Sequence, residues 1–278
     1  MNPCANKTVG PSGLAYCVDD FSDGWVDAPT VMLLHGIAES AEAFNGWVPN
    51  LARRYRVIRP DLRGHGLSPA VQPGETLTVA QLADDLDALA AELKLEHVHV
   101  VGAKLGAQAA LELAQRQVPW MASLTLAGVL ISPSAALGKW LPQWMQLVDE
   151  QGVEGWARAT MPGRMGSALP PEGLEWWTRY MGQTADDTAR ACFRLIGASG
   201  EPSALERIAC PTQVIAPVQP AQPGQFSQQP SLDEVRRWIA RIPGATLTEL
   251  TADSYHVAAT HADACAALTA KFIEEQQS

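Results

Sequence analysis

His97-Val98-His99-Val100-Val101-Gly102-Ala103-Lys104-Leu105-Gly106-Ala107-Gln108-Ala109-Ala110 reads as an apolar run that enters a Gly-x-Lys-x-Gly turn and leaves as a helical pattern. A short apolar run bounded by glycine marks a buried strand, and the 3- and 4-residue spacing beyond it marks a helix from Leu105 to Gln117. Gly102 and Gly106 permit the close strand–helix contact that so sharp a corner needs. The residue at the centre of that corner is Lys104.

The same alternation extends on both sides. Val31 to Leu34 is a short apolar run ending at His35-Gly36, and Tyr55 to Asp61 reads as the next strand. Asn45 to Arg54 has helical spacing. Thr78 to Leu93 is an amphipathic helix with Val79, Leu82, Leu86, Leu89, Ala90 and Leu93 on one face and Thr78 as N-cap. An apolar run follows from Leu124 to Ile131. After residue 205 come a strand Thr212–Ala216, a helix Leu232–Arg241, a strand Thr246–Leu250 and a last helix Ala262–Glu275. The loop 217–230, rich in proline and glutamine, is predicted to be irregular. Strands alternating with helices imply an α/β fold: a mostly parallel twisted sheet flanked by helices, with sites at the carboxyl ends of the strands. Residues 133–205, rich in Trp, Met, Gly and Pro, break the pattern and read as a helical cap inserted into a core formed by 1–132 and 206–278.

Composition narrows the field. With 278 residues and 47% apolar content the chain can bury a sizeable core. The net charge of −10 argues against a nucleic-acid surface. The five cysteines are scattered and form no C-x-x-C pair, so reduced thiols in a cytoplasmic protein are expected. No stretch approaches the roughly 18 apolar residues of a membrane span, and no signal peptide is expected. No cluster has metal-ligand spacing, and no cofactor is called for. The expected partner is a small-molecule substrate; a homodimer is left open.

Four motifs, in order, resemble the α/β-hydrolase family, particularly its capped members that act on lactones, esters and C–C bonds. His35-Gly36-Ile37-Ala38-Glu39-Ser40 resembles the oxyanion loop, and Asp61-Leu62-Arg63-Gly64-His65-Gly66-Leu67-Ser68 the D-x-R-G-x-G-x-S loop. Gly102–Gly106 matches the nucleophile elbow G-x-S-x-G with lysine for serine, and Ser254-Tyr255-His256 matches the late segment that carries the family's histidine. The resemblance implies an oxyanion hole from the N–H groups of Ile37 and Leu105. It also implies an acid after Val214-Ile215-Ala216 or after Leu130-Ile131-Ser132, and neither place holds a carboxylate. A serine-type proton relay therefore lacks two of its three members.

What remains is Lys104 and His256. Placed at a helix N-terminus under an apolar cap, Lys104 is expected to have a lowered pKa. A neutral amine can attack a carbonyl or abstract a proton; a charged one can pair with an anionic ligand or with a carboxylate such as Glu39. His256, without an acid, is expected to act as a freer acid/base bonded to water or to Lys104. Preserved backbone donors still stabilise an oxyanion, one being worth about 3 kcal/mol. Trp140, Trp144, Arg158 and Arg164 are the cap residues expected to bind substrate, an arginine clamping a carboxylate between apolar walls. His35, His65, His97 and His99 read as structural. The leading expectation is an enzyme acting on a small carbonyl compound (keto acid, enol-lactone or 1,3-dicarbonyl) by hydrolysis, C–C cleavage, decarboxylation or isomerisation. The other is a non-catalytic binder that holds an anionic ligand on Lys104.

Overall fold

A computed structural model of the chain describes residues 7–219 and 229–276. Cys4 and most of the loop expected at 217–230 lie outside them. Eight strands form one sheet: β1 (Thr8–Val9), β2 (Ala15–Asp19), β3 (Thr30–Leu34), β4 (Arg56–Pro60), β5 (Val98–Ala103), β6 (Met121–Ala127), β7 (Thr212–Pro217) and β8 (Thr246–Leu250). Their order is β1-β2-β4-β3-β5-β6-β7-β8. The β1–β2 and β2–β4 pairs are antiparallel and every later pair is parallel. From β3 the chain goes to one side to make β4 and returns to the other to make β5, so a crevice opens at the carboxyl ends of β3 and β5. Leu34 is in register with Gly102. The loop beginning at His35 and the corner at Lys104 therefore leave the sheet side by side.

Helices cover both faces. On one side lie α2 (Val79–Glu92), α3 (Leu105–Arg116) and α8 (Leu232–Ile239); on the other lie α1 (Val48–Leu51) and α10 (Ala262–Gln276). The α2 stripe Leu82, Leu86, Leu89 and Ala90 is wholly buried, and Thr78 and Gln81 close a reciprocal capping box at its start. Between β6 and β7 run α4 (Pro133–Leu137), α5 (Leu141–Met165), α6 (Pro171–Met181) and α7 (Asp186–Ala198). These helices form a third apolar cluster together with Ala38, Leu130 and Tyr255 from loops at the strand ends. A short helix α9 (Val257–Thr260) follows the late histidine.

Three expectations need correction. The helical spacing at 45–54 resolves into a 3-10 turn Ala41–Phe44 and the single turn α1, because Pro49 fits only the first turn of a helix. The strand expected to run to Ile131 ends at Ala127. Gly128 follows at φ 65, where a Cβ would lie 2.3 Å from the Tyr255 carbonyl oxygen. Cys17 is disulfide-bonded rather than reduced, whereas Cys192, Cys210 and Cys265 are free thiols. Among the described residues no helix is long and apolar enough to cross a membrane.

Candidate active site

The corner after β5 is built from two glycines and one strained lysine. A Cβ on Gly102 would stand 2.6 Å from Ala107 Cα, and one on Gly106 would stand 2.2 Å from the Leu34 carbonyl oxygen. With neither present, Gly106 N donates to the His35 carbonyl at 2.9 Å and α3 packs directly on the end of β3. Lys104 adopts φ 52, ψ −112, a left-handed conformation that no helix or strand uses.

The loop after β3 is held by two neutral histidines. His35 pairs through Nδ1 with its neighbour's carbonyl (2.7 Å to Gly36 O) and accepts from Leu62 N at Nε2 (2.9 Å). His65 pairs through Nδ1 with Arg63 O (3.0 Å) and accepts from Ala38 N at Nε2 (3.1 Å). In each ring Nδ1 carries the proton and Nε2 does not. Burial lowers both pKa values, that of His65 to about 3. Their reading as structural residues matches these bonds.

This loop delivers Glu39, whose buried carboxylate lies at the centre of the site. Oε2 accepts from Gly36 N at 3.0 Å, and Oε1 lies 3.2 Å from Lys104 Nζ and 2.8 Å from His256 Nε2. The His256 contact is close but lacks the alignment of a hydrogen bond, and among the described residues neither ring nitrogen has a hydrogen-bond partner. The expectation that His256 lacks an acid partner is therefore corrected: a carboxylate does reach it, but from the loop after β3. Glu39 entered the sequence reading only as a partner for Lys104. Nothing in the pattern placed one oxygen between two groups about 65 and 217 residues further along the chain.

The charges follow from burial. Burial lowers His256 to about 4 although Glu39 opposes the change, so the imidazole is neutral at pH 7. Burial by itself would raise Glu39, but the basic groups His256 and Lys104 beside it bring it well below the usual carboxylate value. With the imidazole neutral, the cation that holds Glu39 ionised at pH 7 is Lys104. Burial lowers Lys104 to about 8 against the pull of Glu39, and Arg164 lowers it further. Near neutral pH a minority of Lys104 is then a free amine.

Lys104 faces a narrow cavity of about 50 Å³. Ile37, Leu105, Trp144, Trp156 and Arg164 line it together with Lys104. The backbone N–H groups of Ile37 and Leu105 have no acceptor among the described residues. Glu39 also borders a more open polar cleft of about 410 Å³, next to Ser40 and Tyr180.

The four side chains expected to bind substrate divide evenly. Trp144 and Arg164 reach the cavity. Trp140 does not line it and packs half-buried beneath the Lys139 ammonium, 4.8 Å from the ring centroid. Arg158 is exposed and paired with Glu154 and Glu175, so its expected role at the site is incorrect. The sequence reading missed Gln108 and Tyr255 as lining residues. Tyr255 was detectable from its place directly before His256.

Comparison with known proteins agrees with this architecture. The family described as "alpha/beta hydrolase fold" matches residues 29–160. The chain has the alpha/beta hydrolase fold. Over its whole length it is similar to the enol-lactonase from Burkholderia xenovorans LB400, with a TM-score of 0.82 and 21% identity over 97% of this chain and 100% of that one. Among curated proteins it is similar to the "Magnesium-chelatase 30 kDa subunit" of Rhodobacter capsulatus, 31% identical over 183 residues, covering 63% of each chain. It is also similar to the "Probable oxidoreductase EphD" of Mycobacterium tuberculosis, 39% identical over 107 residues. That match takes in 38% of this chain and 18% of EphD.

Proposed function

We propose that this protein is an enzyme that acts on a small carbonyl compound through the amine of Lys104. Residues 133–205 would serve as the cap that keeps water from the amine. The observation that carries this reading is the convergence of Lys104 Nζ and His256 Nε2 on a single buried oxygen, Glu39 Oε1. Burial frees a fraction of the amine, and Glu39 aims it. In the proposed reaction the neutral amine adds to the carbonyl carbon, and the developing oxyanion is received by the N–H groups of Ile37 and Leu105. His256, neutral and unbonded, carries a proton from nitrogen to that oxygen. Loss of the oxygen as water leaves an imine on Lys104. Once protonated, the imine accepts the electron pair released by decarboxylation or C–C cleavage; the enamine so formed takes a proton at carbon, and water then hydrolyses the resulting iminium to free the product and restore the amine.

Borohydride reduction in the presence of acetoacetate, levulinate and neutral ketones tests this directly. A reduced adduct mapped by mass spectrometry to Lys104, and lost in Lys104→Arg, is the expected result. His256→Ala should form the adduct about 10²–10⁴-fold more slowly. Binding of these compounds without any adduct would reject the covalent reading.

One observation favours a second reading. Both Glu39 oxygens are already engaged, by Gly36 N and by Lys104, which describes a closed network as well as a reactive one. A non-catalytic binder would use the same ammonium to attract an anionic ligand, and saturable binding with no turnover would identify it.

A further inference from the structure

Arg164 is a buried cation with no counter-ion beside it among the described residues. The residue is 4% exposed, its Nε is buried without a hydrogen-bond partner, and Nη1 meets only Met181 Sδ at 3.7 Å. Nη2 donates to Thr160 Oγ1, and the guanidinium stacks 4.3 Å from the centroid of Trp156. Among the described residues no acidic oxygen lies within 4 Å of it; Glu39 acts on it only from a distance, its oxygens being taken by Gly36, Lys104 and His256. Burial lowers Arg164 to about 10, so it stays protonated near neutral pH. A charge buried without a partner is a large free-energy cost unless something supplies the opposite charge. The backbone keeps it in place: the Arg164 carbonyl accepts from Ser254 Oγ at 3.0 Å and from His256 N at 3.3 Å. The end of α5 that carries the guanidinium is thus joined to the loop that carries the site histidine.

We infer that Arg164 is a carboxylate anchor: the ligand of this cavity is a small acid whose carboxylate pairs with the Nε edge of Arg164 while its carbonyl faces Lys104. A carboxylate matches the fork geometry of guanidinium, and Trp144 and Trp156 provide apolar walls for the carbon skeleton between the two ends. The orientation of the carbonyl rests on the amine reading above; the anchor itself does not.

The test compares acetoacetate and levulinate with their methyl esters on the full chain, by calorimetry and by quenching of tryptophan fluorescence. The acids should bind about 10- to 100-fold more tightly than the esters. Arg164→Met should bring that ratio to about one, and Arg164→Lys should keep part of it. Equal affinities for acid and ester in the unaltered chain, no binding of either, or a preference that survives in Arg164→Met would each overturn the anchor. If Arg164→Met does not fold, the unaltered chain and Arg164→Lys decide. The two readings fail separately. Acid preference with no borohydride adduct leaves the anchor and removes the amine chemistry. An ester adduct on Lys104 without acid preference does the reverse.

Discussion

Lys104, Glu39 and His256 illustrate how one carboxylate can set the behaviour of two bases. Glu39 raises the pKa of Lys104 against the effect of burial. Glu39→Gln removes that support, so the midpoint at which adduct formation rises with pH should move below about 8. The direction follows because in the proposed reaction the reactive form is the neutral amine, whose population grows as pH passes the pKa. The same change leaves a buried ammonium without a partner and should lower stability by about 3–5 kcal/mol. Borohydride trapping from pH 6 to 10, with urea melts, reads both effects. An unmoved midpoint would show that Glu39 does not act on the amine.

The corner between β5 and α3 depends on what is missing from Gly102 and Gly106. Gly106→Ala sets a methyl group against the backbone of β3 rather than a movable side chain. The loss should fall at the upper end of about 1–3 kcal/mol. Gly138→Ala is the matched control: its Cβ would meet nothing within 4 Å and its backbone is already helical. It should be neutral or stabilise by about 0.4–1 kcal/mol. Urea midpoints of the two variants check the contrast. Along α5, the buried positions Val153, Trp156, Ala157, Thr160, Met161 and Arg164 recur every three or four residues. Arg164 lies on that stripe and Arg158 does not, so their opposite fates were legible in the helical period once a start for the stripe was known.

Taken together, the chain holds several histidines neutral at a structural cost in acid. His65 is lowered to about 3, and His99 and His256 to about 4, chiefly by burial in each case. The unfolded chain takes up protons near the ordinary value of 6.5, whereas the folded chain does not do so until much lower pH. The stability these residues contribute is complete above pH 6.5 and is lost as pH falls toward 4. At pH 5 unfolding should therefore take up about three protons from these histidines, and the melting temperature should drop steadily between pH 7 and 4. Calorimetry in buffers of different ionisation enthalpy measures the uptake; a value near zero would mean that the rings are charged in the folded protein. Protonation of His65 also costs the Ala38 N–H bond at Nε2, so the loop after β3 should loosen first.

Local pattern was enough for the architecture. Short apolar runs, the helical stripe of α2, the glycines around Lys104 and the Thr78 cap are properties of neighbouring residues, and these appear in the structure where the chain placed them. The presence of lysine and histidine at the site was also readable, because each sits inside a local motif. The role of Glu39 was not, since it depends on the register of β3 against β5 and on a loop returning more than two hundred residues later. That Arg164 arrives with no acidic partner among the described residues was likewise decided by packing. Charge pairing in a buried site is a matter of distances between segments remote in sequence, and those distances exist only after the sheet has formed.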